Sequence, residues 1–131
     1  MIDWLVATNG DVVPLILRLT LAVVMFPHGR RTMAHFTKSG FPPVLAFLAV
    51  MAEFLGPLGL AIGLLTRVAA LGIAVVMLVA IFPHKQYGFF MNWSGTQEGE
   101  GVEYHLLALG AAVALVVVGG GAWSIDALIA R

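Results

Sequence analysis

The chain has 131 residues, 60% hydrophobic and 11% charged, with a formal net charge of +0 and no cysteine. A soluble domain carries about 25% charged residues, so a water-covered surface is excluded and a membrane protein of one domain, residues 1–131, is expected. The neutral balance excludes a nucleic-acid partner, which needs a basic face; the missing thiol excludes disulfides, thiol catalysis, Cys-ligated iron–sulfur clusters and covalently attached c-type haem.

The opening stretch, "MIDWLVATNGD", has no basic residue before a very short apolar run, so it does not read as a signal peptide. Trp4 is expected as an interfacial anchor. Four apolar segments follow, from about Val12 to Met33, Pro43 to Leu65, Arg67 to Phe82 and Val102 to Val118. They are long and continuous, without the period-2 alternation of a barrel strand. A spanning helix needs ~20 residues; the first two segments meet this and the last two reach it with their flanks. The expected fold is all-α, a bundle of four transmembrane helices paired as antiparallel hairpins.

The first segment ends in Phe26-Pro-His28 and the third in Phe82-Pro-His84. The echo does not extend into a repeat; it places both ends on one membrane side. Between segments one and two lies a polar turn containing His35, which is expected in solvent, and Pro42 and Pro43 start the next helix. Gly59 and Gly63 form a small-residue pair expected to pack within the bundle, and Pro57 is expected to kink the helix one turn after Glu53. Thr66 is placed as the N-cap of the third helix. The third loop, "KQYGFFMNWSGTQEGEG", carries four aromatic residues suited to the interface. Glycines stop the fourth helix, and Ser124 caps a short C-terminal interfacial helix.

Two charges lie deep in apolar sequence, Arg18 and Glu53, each costing at least ~2–3 kcal/mol in hydrocarbon. Arg18 is twelve residues before Arg30 and Glu53 eleven after Pro42, which puts them ~18 and ~16 Å from the same surface. Antiparallel neighbours would bring them level as an intramembrane charged pair. The alternative is that Arg18 snorkels toward its own helix end and Glu53 is protonated. A second constellation gathers at one surface: His28, His84, Glu103, Tyr104 and His105. It is expected to form a polar mouth. Three His and a carboxylate also suit a metal, a haem or a quinone headgroup; the plainer alternative is interfacial polar residues bonded to water or backbone, and no metal is expected. Arg30, Arg31, Lys38 and Lys85 stand on that side and Arg67 and Arg131 on the other, which directs the first side to the cytoplasm.

Four stretches, "LRLTLAVVMFPHG", "EFLGPLGLAIGLLTRVAAL", "GEGVEYHLLAL" and "GGGAWSID", come in the order in which DoxX family membrane proteins carry theirs. The chain resembles that family over nearly its whole length. The resemblance implies a four-helix membrane bundle and draws attention to Arg18, His28, Glu53, Thr66, Arg67, Glu103 and Asp126. Ala22 and Pro57 stand where the family often has Gly, and Arg31 and Thr32 lie near a usual Lys. Relatives are linked to thiosulfate:quinone oxidoreduction and to membrane redox complexes with soluble partners. The functional expectation is a multi-pass cell-membrane subunit of an oxidoreductase system that handles a quinone, with haem a weaker candidate. The alternative is a non-catalytic anchor, scaffold or small-lipid binder. Either fits a homo-oligomer or a hetero-complex in the bilayer.

Overall fold

Long apolar runs in lipid must satisfy every backbone polar group internally, and helices do so. In the computed structural model, which describes residues 12–34 and 42–130, all regular structure among the described residues is helical. The expectations for Trp4, His35, Lys38 and Arg131 lie outside the described residues. Helix α1 is Val13–Ala34 and α2 is Pro43–Ile62. Helix α3, Thr66–His84, runs on through a 3-10 turn, Lys85–Tyr87. Helix α4 is Glu103–Val118, and α5 is the short Ile125–Ile129. Ser124 caps α5 as expected, its Oγ accepting from the Ala127 amide at 3.1 Å.

Among the described residues three helices are long and apolar enough to cross a membrane: α1 with 22 residues, α2 with 20, and α3 with 22 when counted to Tyr87. The 16 residues of α4 make a helix of ~24 Å, short of a hydrocarbon core of ~30 Å. The outer faces are apolar, with Val23 73%, Leu107 72% and Val117 69% exposed. Apolar surface on this scale belongs in lipid rather than water.

The bundle runs up, down, up, down. Gly29 packs on Glu53 while Arg18 reaches Leu60, so α1 and α2 are antiparallel. His84 meets His105 at one end of α3 and α4, and Arg67 meets Gly119 at the other. The most extensive packing is between α3 and α4, and α1 lies along the second half of α2. Met25, Leu60, Ala70, Ile73, Ala112 and Leu115 form the fully buried centre. Small residues bring the backbones close there, as lipid gives no hydrophobic drive between helices.

Helix α2 is not kinked simply by Pro57. Its middle widens into a π-helical turn, Met51–Leu55, closed by the Gly56 amide on the Met51 carbonyl. The cause is local: Pro57 has no N–H, and its ring would clash with the carbonyl four residues back, that of Glu53. The wider turn relieves the clash and turns that carbonyl toward α1. Gly29 meets it there, and a Cβ at Gly29 would overlap the Glu53 carbonyl oxygen. This explains the glycine after Phe-Pro-His, which sequence reading alone left without a role. Gly63 ends α2 with φ 71°, and Gly59 and Gly63 both pack inside the bundle.

Candidate functional site

At the end where α1 and α3 finish, side chains from three helices converge. His28 of α1 stacks on Tyr104 of α4, with ring centroids 5.4 Å apart and planes 19° apart. The Tyr104 hydroxyl reaches Met25 Sδ at 3.7 Å. The next residue, His105, stands edge-on to Tyr104 at 5.5 Å and faces the ring of His84 from α3 at 4.3 Å. The rings thus form one row, His28, Tyr104, His105, His84. His84 Nδ1 lies 2.7 Å from the Ala80 carbonyl oxygen; a carbonyl only accepts, so Nδ1 carries a proton and Nε2 is left to act as acceptor. His105 is 7% exposed; among the described residues its buried Nδ1 makes no well-formed hydrogen bond, although the Gly101 backbone lies close enough to act on the ring.

Glu53 belongs to this same end. Its carboxylate Oε2 accepts from the Thr32 hydroxyl, and its charge lies near enough to act on Tyr104. The π-helical turn presents it, and such turns recur at functional sites. The row of rings with Glu53 beside it offers flat faces for stacking, an unfilled imidazole nitrogen, a phenol and a carboxylate. Together they can hold a planar polar head by hydrogen bonds and exchange protons with it. Among the described residues, no three His, Cys, Asp or Glu side chains converge to hold a metal ion.

Glu103 is tied up elsewhere. Its Oε2 accepts from the Met91 amide at 3.2 Å, and its own amide donates to the Phe89 carbonyl at 2.9 Å. It anchors the third loop at the positive start of α4, where a carboxylate is favoured.

The expected Arg18–Glu53 pair is not formed. Arg18 is fully buried; Nη1 donates to the Leu60 carbonyl at 3.0 Å and Nη2 to the Trp123 carbonyl at 2.5 Å. The reason is register. Glu53 is level with Gly29, eleven residues from Arg18, a separation of about 16 Å along the helix. Arg30 and Pro42 are not at equal depth, since Gly29 already meets Glu53, eleven residues into the second segment. In the structure α1 continues to Ala34 and α2 begins farther out than α1 ends. Arg18 thus sits near the opposite membrane face, as its alternative reading held, but it turns into the protein and not to water.

The carboxylate near Arg18 is Asp126. It also replaces Thr66 as the cap of α3: Oδ1 accepts from the Leu65 amide at 2.7 Å and Oδ2 from the Thr66 amide at 2.8 Å. Leu65, in the cap position, has φ 50°, and Thr66 is already inside the helix. Burial alone would raise the Asp126 carboxyl. The nearby Thr66 hydroxyl, the Thr66 and Leu65 amides and the Arg18 charge more than offset this and hold it below its usual range. Beside Asp126 a groove of ≈ 400 Å³ opens between the start of α3, the end of α4 and α5, with Arg67 on its rim. It lies at the membrane end opposite the row of rings.

Comparisons with curated proteins and with solved structures returned no match. The DoxX family model matches residues 13–86, more than half of the chain. That span takes in Arg18, His28, Glu53, Thr66, Arg67 and His84, and so both ends of the bundle. With three long apolar helices and a fourth shorter one around a small-residue core, the chain belongs to the DoxX family and is a multi-pass membrane protein.

Proposed function

We propose that the protein is the integral membrane subunit of an oxidoreductase system and that the row of rings at the α1 and α3 ends receives the head of a quinone or similar lipid-soluble redox molecule. One observation carries this reading: His105 is more than nine-tenths buried in the middle of the row, and among the described residues its Nδ1 makes no well-formed hydrogen bond. A buried polar group without a partner costs about 1–3 kcal/mol, and a quinone oxygen would supply the missing partner. His28 and Tyr104 offer stacking faces for the ring, His84 Nε2 a further hydrogen-bonding atom, and Glu53 a carboxylate for protons. Glu103 supports the site by holding the third loop over it. A quinone and its quinol differ by two electrons and two protons; the residues named here bind and exchange protons, and partner subunits of a larger complex supply the electrons.

In this reading all four helices span the cell membrane, α4 with help from its flanks, and the row of rings faces the cytoplasm, where Arg30, Arg31 and Lys85 gather. The bundle assembles with itself or with redox subunits through its small-residue faces. The test is an organic extract and a visible spectrum of protein purified in native lipid. The proposal expects about one quinone per chain, lost in His105→Leu and retained in Arg67→Gln. Wild-type protein that carries no quinone, has a clean spectrum and copurifies with a stable partner would overturn it in favour of a non-catalytic anchor or scaffold.

A further inference from the structure

The groove at the opposite end points to a second site, independent of the row of rings. Arg67 stands on its rim, exposed, at the start of α3. Its guanidinium is held against Gly119 at the end of α4: a Cβ there would sit 3.2 Å from Nε and 3.5 Å from Nη2. Gly119 has φ 80°, so glycine both makes the chain turn and leaves the space in which the guanidinium rests. Among the described residues, Arg67 has no hydrogen bond and no carboxylate partner. The one carboxylate in the groove among the described residues, Asp126, has an amide on each oxygen and lies near buried Arg18. The uncompensated charge presented by the groove is therefore positive.

The inner wall carries the hydroxyls of Thr66 and Ser124; the outer side chains, Leu65, Val68, Val118, Ala127 and Ala130, are apolar. Val68 is 65% and Val118 53% exposed, and each leads down its helix onto the outer face of the bundle. The groove thus joins an exposed guanidinium at the bundle end to an apolar track along the outer helix faces.

We infer that this groove is a binding site for an anionic phospholipid, its phosphate on the Arg67 guanidinium and an acyl chain along Val68 and Val118. Guanidinium N–H groups match phosphate oxygens two at a time, and the Gly119 seat spares the side chain part of the entropy lost on binding. A zwitterionic lipid brings its own cation beside Arg67 and gains less. Competing occupants are a free phosphate, which would ignore the apolar track, and a second copy of the chain, which would ignore the charge.

The test is native mass spectrometry of the full chain in detergent, offered equal amounts of phosphatidylglycerol and phosphatidylcholine. The expected result is retention of phosphatidylglycerol by about fivefold over phosphatidylcholine, the preference one surface guanidinium gives. Arg67→Gln should abolish that preference. Ala127→Trp, which fills the groove and keeps Arg67, should lower retention of both lipids, and it decides the matter if Arg67→Gln does not fold. Equal retention of the two lipids, a preference unchanged by Arg67→Gln, or retention unchanged by Ala127→Trp would each overturn the inference. So would full displacement by inorganic phosphate alone, or a dimer cross-linked through Ala130 that excludes lipid.

Discussion

Replacing Arg18 by Met keeps a long side chain of similar reach and removes the charge. The structure gives the wild-type guanidinium two bonds, to Leu60 O at 3.0 Å and Trp123 O at 2.5 Å. Hydrogen bonds from a charged donor are each worth about 1.5–3 kcal/mol. The methionine recovers part of this by packing, and the two carbonyls lose a donor, so the net cost is about 3–4 kcal/mol. A domain holds about 5–15 kcal/mol in all, so the variant should still fold, with an unfolding midpoint clearly below wild type. The partner is identified by a double-mutant cycle. Arg18→Met and Asp126→Asn should couple by about 0.5–1.5 kcal/mol, whereas Arg18→Met and Glu53→Gln, ~16 Å apart along the helix, should add to within ~0.5 kcal/mol. Unfolding is read by circular dichroism as sodium dodecyl sulfate is titrated into mixed micelles. A cost below ~1 kcal/mol for Arg18→Met, or stronger coupling to Glu53 than to Asp126, would refute the clamp and restore the intramembrane pair.

Gly29→Ala should destabilise by about 2 kcal/mol or more, because its Cβ overlaps the Glu53 carbonyl oxygen, although alanine in a helix interior ordinarily gains about 1 kcal/mol over glycine; the same titration measures it. Asp126→Ala should cost about 1–2 kcal/mol through loss of the α3 cap. Because the folded carboxyl of Asp126 lies below its ordinary value, its contribution is complete well above pH ~4 and is lost as pH falls below that toward the folded value; wild type should lose stability on acidification there, and Asp126→Ala should lose less. Glu103→Gln should speed amide hydrogen exchange at Met91 and its neighbours at least several-fold while leaving α1 unchanged, since the Met91 amide donates to that carboxylate.

The helices were legible because their signal is local. Apolar runs, Pro43 at a helix start and glycines after Val118 place the three long helices and the shorter α4 to within a few residues. The shared side of His28 and His84 followed from helix count alone. Lateral neighbours and axial register did not follow. A short chain tie limits how far two helices slide past each other without choosing the offset, so Arg18 and Glu53 were set level when they lie at opposite ends. The α3 cap was also out of reach: Thr66 has the right side chain at nearly the right place, and the group that does the work is Asp126, sixty residues away. The role of Gly29 depends on a π-helical turn in another helix, and Pro57 was its one visible sign. The charge of Glu53 in an apolar run marks it as exceptional in the sequence, whereas its neighbours Thr32 and Gly29 follow only from the helix register.

The Arg18 clamp also has a consequence for synthesis. Its acceptor carbonyl on Trp123 lies 105 residues downstream. At about 5–20 residues per second, translation reaches Trp123 about 5–20 s after Arg18. Over that interval Arg18 can gain the Leu60 carbonyl but not that of Trp123, so the clamp is half made. Docking of the segment around Trp123 and Asp126 completes it. A ribosome that stops before that segment leaves a chain with α1 to α4 complete and a buried arginine short of one carbonyl and of its neighbouring carboxylate.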